Sequence, residues 1–167
     1  MCQSDNPQAF CAPCDSGWTE KNNTCYIVMR GKVNWTAADS HCKQFQANLA
    51  SIKDADENSL VTSLIGSAPE GRTPLVWIGL KDVKKRRGQK WAWTDGSSFS
   101  FANWARGLPS NLNLPKQRKN CVGMYSKNTK GKGLLKKKKK KKKGEWTNAH
   151  CSNTFPYICM KPKLMKT

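Results

Sequence analysis

The sequence predicts an α+β fold held together by disulfides, and three observations point there. Two stretches with helical periodicity come first, and short apolar runs broken by turn residues follow, which is the order of an α+β chain. The eight cysteines, at 2, 11, 14, 25, 42, 121, 151 and 159, form an even set. They make no paired C-x-x-C zinc pattern with histidine companions, and the lone C-x-x-C of Cys11 and Cys14 lacks the βαβ setting of a redox motif. Disulfides of an oxidising compartment are the expected state. The chain has 167 residues, 37% of them hydrophobic, and seven tryptophans, enough for one domain with a real core.

Each element has its own signal. Residues 1–13 are polar and proline-bearing and read as an extension. Cys25 to Met29 carries a strand pattern. In NWTAADSHCKQF, Thr36 is placed to cap a helix with Asp39 three residues on, and Ala38, Cys42 and Phe45 fall on one face. ANLASI supplies an apolar link through Leu49 and Ile52. A second amphipathic helix follows, with Asp54, Asp56 and Glu57 in its first turn and Gly66 at its end. LVWIGL reads as a buried strand. KWAWTDGSSFSF reads as a hairpin, with Trp91 and Trp93 facing Phe99 and Phe101 across Asp95-Gly96. CVGMY, EWTNAHC and FPYICM are three more strands. Residues 107–120 are loop-like, 126–144 form a low-complexity basic insertion, and 162–167 a short basic tail. No internal repeat is present.

Charge is the most unusual property. The formal net charge is +19, and 21 of the 30 Lys and Arg lie between Lys81 and Lys143, with no Asp or Glu from Gly96 to Gly144. Two like charges about 4 Å apart repel by about 1 kcal/mol even in water, so the lysine octet Lys136 to Lys143 belongs in solvent or against something negative. The first basic cluster is Lys84, Lys85, Arg86 and Arg87, flanked by Lys81 and Lys90. The second is Lys116, Arg118, Lys119, Lys127, Lys130 and Lys132, continued by Lys136, Lys137, Lys138, Lys139, Lys140, Lys141, Lys142 and Lys143. Such one-sided charge predicts a polyanionic partner.

Other classes fit less well. No apolar run approaches the roughly 20 residues that span a bilayer. No apolar leader follows Met1, so the chain reads as a mature secreted form with an added initiator Met. Only His41 and His150 are present, the cysteines are expected to be oxidised, and no close carboxylate pair marks a cleft, so no enzyme and no cofactor are expected. Disulfides argue against a nuclear role, although nucleic acid would bind such charge in vitro. Asn22-Asn23-Thr24 and Asn34-Trp35-Thr36 are glycosylation sequons.

From Cys14 to Cys159 the residues resemble the C-type lectin-like domain in its long form, giving a domain over 14–161. The resemblance is carried by CDSGWTEKNNTCY, Cys42 in the first helix, ANLASI, Trp77-Ile78-Gly79-Leu80, WTDG, Asn103-Trp104 and the closing YIC, all in family order. It implies two helices with small antiparallel sheets and a long loop region. It also implies bridges Cys14–Cys25, Cys42–Cys159 and Cys121–Cys151. Cys2 and Cys11 then pair with each other or with a second chain as a dimer. Trp77, Trp91 and Trp104 match family core positions, which leaves Trp18 or Trp93 as the partly exposed tryptophans.

In sugar-binding members of that family, calcium sits between a Glu-Pro-Asn or Gln-Pro-Asp loop, a Glu two residues before a cysteine, and a Trp-Asn-Asp strand. The matching positions here are Leu108 and Ser110, Lys119, and Thr147 and Asn148. Calcium takes about six to eight oxygens, several from carboxylates, and none of these residues supplies one. The resemblance further implies that both basic clusters border one ligand-binding region, forming a composite basic face.

Two functions follow as expectations. One is a calcium-independent, non-catalytic module for sulfated or acidic glycan, or for the anionic matrix or carbonate surface of a mineralised tissue, where very basic relatives of this family occur. The other is a secreted defence or toxin-type lectin acting on anionic cell surfaces, or a calcium-dependent lectin with shifted ligands.

Overall fold

Asn34, not Thr36, starts the first helix. A computed structural model describes residue 2 and residues 5–85, 88–110, 118–130 and 140–166. In chain order the elements are β1 (Phe10–Cys11), β2 (Thr19–Lys21), β3 (Thr24–Val33), α1 (Trp35–Gln44), β4 (Asn48–Leu49), α2 (Ala55–Ile65) and β5 (Leu75–Asp82). They continue with β6 (Trp91–Trp93), β7 (Cys121–Tyr125), β8 (Trp146–Ala149), β9 (Phe155–Pro162) and β10 (Met165–Lys166). Asn34 accepts a hydrogen bond from the Ala37 amide, and the Trp35 amide donates to the Cys151 carbonyl. That tertiary bond fixes the helix start two residues earlier than the Thr36–Asp39 spacing predicts. Asp39 instead pairs with Lys43 at 2.8 Å. In α2, Asp54, expected in the first turn, is instead the cap, accepting from the Glu57 amide, and Asp56 and Glu57 in the first turn complement the helix dipole.

One sheet runs in the order β2-β3-β9-β5-β7-β8, with β4 pairing to β9 and β6 to β5; β1 and β10 form a separate two-stranded sheet. Among the described strands the pairings are antiparallel except where β5 meets β9, at Trp77 and Tyr157, and an isolated parallel bridge joins Trp104 to Trp146 of β8. Alternation along β5 divides the core. Val76, Ile78 and Leu80 pack with Val61 and Ile65 of α2, while Trp77 packs on the other side with Ala38, Cys42 and Leu49. The buried indoles find acceptors, as such groups must: Trp35 Nε1 donates to the Ile78 carbonyl and Trp77 Nε1 to that of Val33. Gly79 has no room for a side chain, because an added Cβ would lie 2.6 Å from the Leu49 carbonyl oxygen.

The expected hairpin over 91–101 does not form. Trp93 pairs with Leu80 of β5, and the Asp95 carboxylate accepts from the Ser97 amide and the Ser51 hydroxyl, which turns the chain away. Phe99 packs edge-on to Trp93, and Phe101 packs edge-on to Trp146. Trp93 is therefore buried, at 4% exposure, while Trp91 and Trp104 are half-buried, the reverse of the expected order. Phe45 ends α1 with 45% exposure instead of joining the buried face.

Four disulfides are present: Cys14–Cys25, Cys42–Cys159, Cys121–Cys151 and Cys2–Cys11. The last closes the alternative of a dimer through Cys2 or Cys11, since both sulfurs are taken within the chain. The Cys42–Cys159 bridge spans 117 residues of sequence, a closure that the chain-entropy model values at about 4–5 kcal/mol.

Candidate functional site

Two regions at opposite ends of β7 and β8 hold the residues singled out by the sequence. At the end where β7 begins, the chain brings together every matched calcium position. Ser110 donates its amide to Asn148 Oδ1 at 3.0 Å, and Asn148 Nδ2 donates to the carbonyls of Lys119 at 3.0 Å and Ser110 at 3.3 Å. Gln89 Nε2 also donates to the Ser110 carbonyl. Thr147 turns its hydroxyl to the Asn148 carbonyl, and Leu108 sits before a cis-proline, Pro109. Asn148 is 4% exposed and both of its amide atoms are engaged by backbone. The donor set does not fit calcium. It offers no carboxylate, its one amide oxygen is already occupied, and Lys119 contributes a cation. A neutral side chain here ties the long loop to the strand.

The first basic cluster surrounds this end. Asp82, the last residue of β5, receives the amides of Lys84 and Lys90 on its carboxylate and donates its own amide to Asn120. Lys81 places its ammonium 5.2 Å from the Trp35 ring centroid. Lys84, Lys85, Arg118 and Lys119 thus emerge near the start of β7. Arg86, Arg87 and Lys116 lie outside the described residues.

The rest of the second cluster leaves from the other end. Beyond Tyr125 the strands continue as a hydrogen-bonded root. Gly144 donates to the Tyr125 carbonyl, the Thr129 amide to the Lys141 carbonyl, the Lys141 amide to Thr129 Oγ1, and the Lys143 amide to Asn128 Oδ1. Lys142 donates its amide to Glu145 at 2.6 Å. Lys127 Nζ caps the last turn of α2 through the Gly66 carbonyl at 2.9 Å, where a cation meets the negative end of the helix dipole.

At the base of this root lies buried Gly144, whose φ of +89° puts it in the left-handed region and whose added Cβ would lie 2.7 Å from Thr62 Oγ1. Its carbonyl accepts from Asn103 Nδ2 at 2.7 Å and Asn58 Nδ2 at 3.2 Å, and Asn58 Oδ1 accepts from Trp146 Nε1 at 2.8 Å. Burial pushes the neighbouring Tyr125 phenol up, and the Glu145 charge adds to the shift.

The expectation of one composite basic face needs correction. Lys81 pairs with Cys121 and Leu75 with Tyr125, so the second cluster is split: Arg118 and Lys119 join Lys84 and Lys85 at the start of β7, while the rest of its described members leave from the other end. Four residue steps at about 3.4 Å separate those ends, roughly 14 Å. Lys127, Lys130, Lys140, Lys141, Lys142 and Lys143 belong to the α2 end. Lys132, Lys136, Lys137, Lys138 and Lys139 lie outside the described residues.

Asn58, Asn103 and Gly144 were not among the expected site residues. A signal for Asn58 existed, since it falls with Val61 and Ile65 on the buried stripe of α2, and a polar residue on such a stripe needs a buried partner.

The comparisons with known proteins agree with this geometry. The model of the lectin C-type domain matches residues 31–161. The C-type lectin BfL-2 of Bungarus fasciatus is 32% identical over 154 residues, covering 90% of this chain and 85% of that protein. The galactose-specific lectin nattectin of Thalassophryne nattereri is 30% identical over 148 residues, covering 89% of this chain and 80% of that lectin. Among solved structures, human lithostathine superposes with a TM-score of 0.70 at 28% identity, covering 90% of this chain and all (100%) of that one. A domain with this sheet order, these three inner bridges and this long loop belongs to the C-type lectin domain family.

Proposed function

We propose that this chain is a secreted, non-enzymatic C-type lectin domain that binds polyanions through its lysine-rich hairpin, without calcium. The partner is a sulfated or acidic glycan, or the anionic matrix or carbonate surface of a mineralised tissue. One observation carries the reading. The segments that flank the lysine run are tied by hydrogen bonds to a buried Gly144, and the matched calcium positions hold no carboxylate, so cations without a metal-type ligand set dominate both ends. Lysine suits this task as a point charge that needs no fixed fork geometry. Relatives named as lectins, one of them galactose-specific, support recognition of carbohydrate as the general task. His41 is engaged with the Tyr157 hydroxyl at 2.9 Å and every described cysteine is in a disulfide, which favours binding over nucleophilic chemistry.

The test is affinity for heparin-like chains and for calcium carbonate crystals as a function of salt. On duplex DNA each neutralised phosphate adds about 0.9 to the log–log salt slope, and a sulfated chain follows the same physics. Replacing Lys136–Lys143 by serine is expected to flatten the slope by several such increments and weaken binding, while arginine in their place preserves both. A serine variant that binds both targets as tightly as the parent, with an unchanged slope, overturns the proposal.

A further inference from the structure

A second basic feature lies beside the hairpin root, and neither cluster found in the sequence contains it. Lys32 at the end of β3, Gly71, Arg72 and Thr73 before β5, and Asn153 and Thr154 before β9 enclose a cleft of about 340 Å³. That is near the lower end of the about 300–1,000 Å³ typical of small-ligand clefts. Three segments far apart in sequence converge there. The Lys32 ammonium lies over the backbone of Gly71, where an added Cβ would come within 3.1 Å of it. Neither Lys32 nor Arg72 has a salt bridge or side-chain hydrogen bond among the described residues. Glu70, the only acid between Gly66 and Pro74, makes no ion pair there either. Two uncompensated cations flanked by amide and hydroxyl donors form an anion-selective lining. Another cleft, lined by Asp54, Asp56, Glu57, Lys21 and Lys53, mixes both signs, with Lys53 paired to Glu57, and lacks this excess of positive charge.

The cleft joins the hairpin root directly. The Pro74 carbonyl accepts from the amide of Ser126 at 2.9 Å and from its hydroxyl at 3.3 Å. Thr73 thus lies one residue before a contact with Ser126, and Lys127 follows it. Arg30 donates to the Ser67 carbonyl and Lys127 to that of Gly66, so both cations border the 66–74 segment. We infer that the Lys32–Arg72 cleft is a subsite for one sulfated or carboxylated sugar residue of an acidic glycan whose chain continues past Ser126 and Lys127 at the root of the lysine-rich segment. This rests on the polyanion reading and narrows it to glycan. A sugar residue enters a concave cleft, whereas a planar crystal face cannot follow the surface inward to Lys32 and Arg72.

The test uses the full chain, a heparin-derived hexasaccharide as probe, and calcium carbonate crystals as comparison. Lys32 and Arg72 are both exposed, so the double variant Lys32→Ser/Arg72→Ser is expected to keep the parent melting temperature. Loss of charge-assisted hydrogen bonds should weaken hexasaccharide binding by about tenfold or more while leaving crystal adsorption unchanged. A control variant, Lys21→Ser/Lys166→Ser, removes the same charge elsewhere and is expected to change affinity much less. Hexasaccharide affinity equal to the parent overturns the cleft subsite, and so does an equal loss in the control variant or an equal loss on crystals. The underlying reading is tested separately by the Lys136–Lys143 serine variant. If that variant binds like the parent while the cleft variant does not, the hairpin reading fails and the cleft stands. If the reverse holds, the cleft fails and the hairpin stands.

Discussion

The two ends of β7 and β8 solve one problem with the same residue type. At the long-loop end, Asn148 bonds to the backbone of Ser110 and Lys119 and joins two segments that bracket a calcium ion in metal-binding relatives. At the α2 end, Asn58 and Asn103 converge on the Gly144 carbonyl and fix the departure of the lysine hairpin. A carboxamide carries one acceptor and two donors without charge. It can therefore satisfy buried backbone groups in a protein that already carries a large excess of positive charge. The ends differ in what the carboxamide holds. Asn58 also accepts from the Trp146 indole inside the aromatic cluster, whereas Asn148, itself buried, bonds to the backbone of half-buried Ser110 and Lys119. The α2 end is thus tied to the aromatic core, and the long-loop end to loop backbone.

The largest effect should come from breaking the α2 end. Asn58→Ala leaves the Trp146 indole N–H without its acceptor and removes one donor from the Gly144 carbonyl. Unsatisfied buried groups of this kind cost about 1–3 kcal/mol each, so a loss of about 2–4 kcal/mol is expected. For a domain of this size that lowers the melting temperature by roughly 5–15 °C. Thermal unfolding by circular dichroism measures it. A loss below about 0.5 kcal/mol, the range of a neutral surface change, would show that the network at Gly144 does not hold the root.

An intermediate effect tests the other end. Asn148→Ala is expected to cost about 1–2 kcal/mol, since the freed backbone groups lie partly within reach of water. Millimolar calcium should leave the parent melting temperature unchanged. The variant Leu108→Glu/Lys119→Glu/Asn148→Asp returns carboxylates to the three matched positions and should gain a calcium-dependent rise. Binding to the native state stabilises by mass action, about 2.7 kcal/mol at a hundred times Kd. A rise in the parent would mean that other oxygens complete a calcium site, and the contrast between the ends would collapse.

The smallest effect sharpens the boundary between root and hairpin. Replacing residues 131–139 with a short Gly/Ser link keeps every hydrogen bond described at the root, so stability should change by no more than about 0.5 kcal/mol. Extending the same replacement through Gly144 should cost several times more, because it removes the Lys141 and Lys143 backbone partners of Thr129 and Asn128 and so frees the position of the carbonyl on which Asn58 and Asn103 converge. Equal melting temperatures for the two replacements would place the anchor elsewhere.

Much of this was legible in the sequence where a local rule and the tertiary environment agree. Asp54, Asp56 and Glu57 mark the start of α2 because acids there suit the dipole. The buried run LVWIGL became β5 because nothing else could cover it. Legibility failed where the decision belonged to a distant residue. Thr36 and Asn34 are both competent caps, and the Trp35 amide bonding to Cys151 chooses between them. Asp95-Gly96 has good hairpin chemistry, yet the free edge of β5 captured Trp91–Trp93 and left Phe99 and Phe101 to the aromatic cluster. At the candidate site, the loss of carboxylates was readable position by position. The use of Asn148 as a tie was not, because it depends on backbone groups brought in from residues 110 and 119. The division of the basic residues between the two ends was hidden for the same reason: charge composition carries no register.

The bridge pattern also determines how the domain would respond to being pulled. Tension from the N-terminal side crosses the Cys2–Cys11 bridge and enters the two-stranded sheet at Cys11, which pairs with Met165, so it opens that pairing by peeling instead of shearing. The load then reaches covalent bonds. From the N-terminal side it crosses from Cys14 to Cys25, runs along β3 and α1 to Cys42, and passes directly to Cys159. Everything between Cys42 and Cys159, including the long loop, the aromatic cluster and the lysine hairpin, lies off the force path. A domain fastened at its ends within a stiff matrix could be stretched to the limit of its outer segments while its binding surfaces stayed mechanically silent.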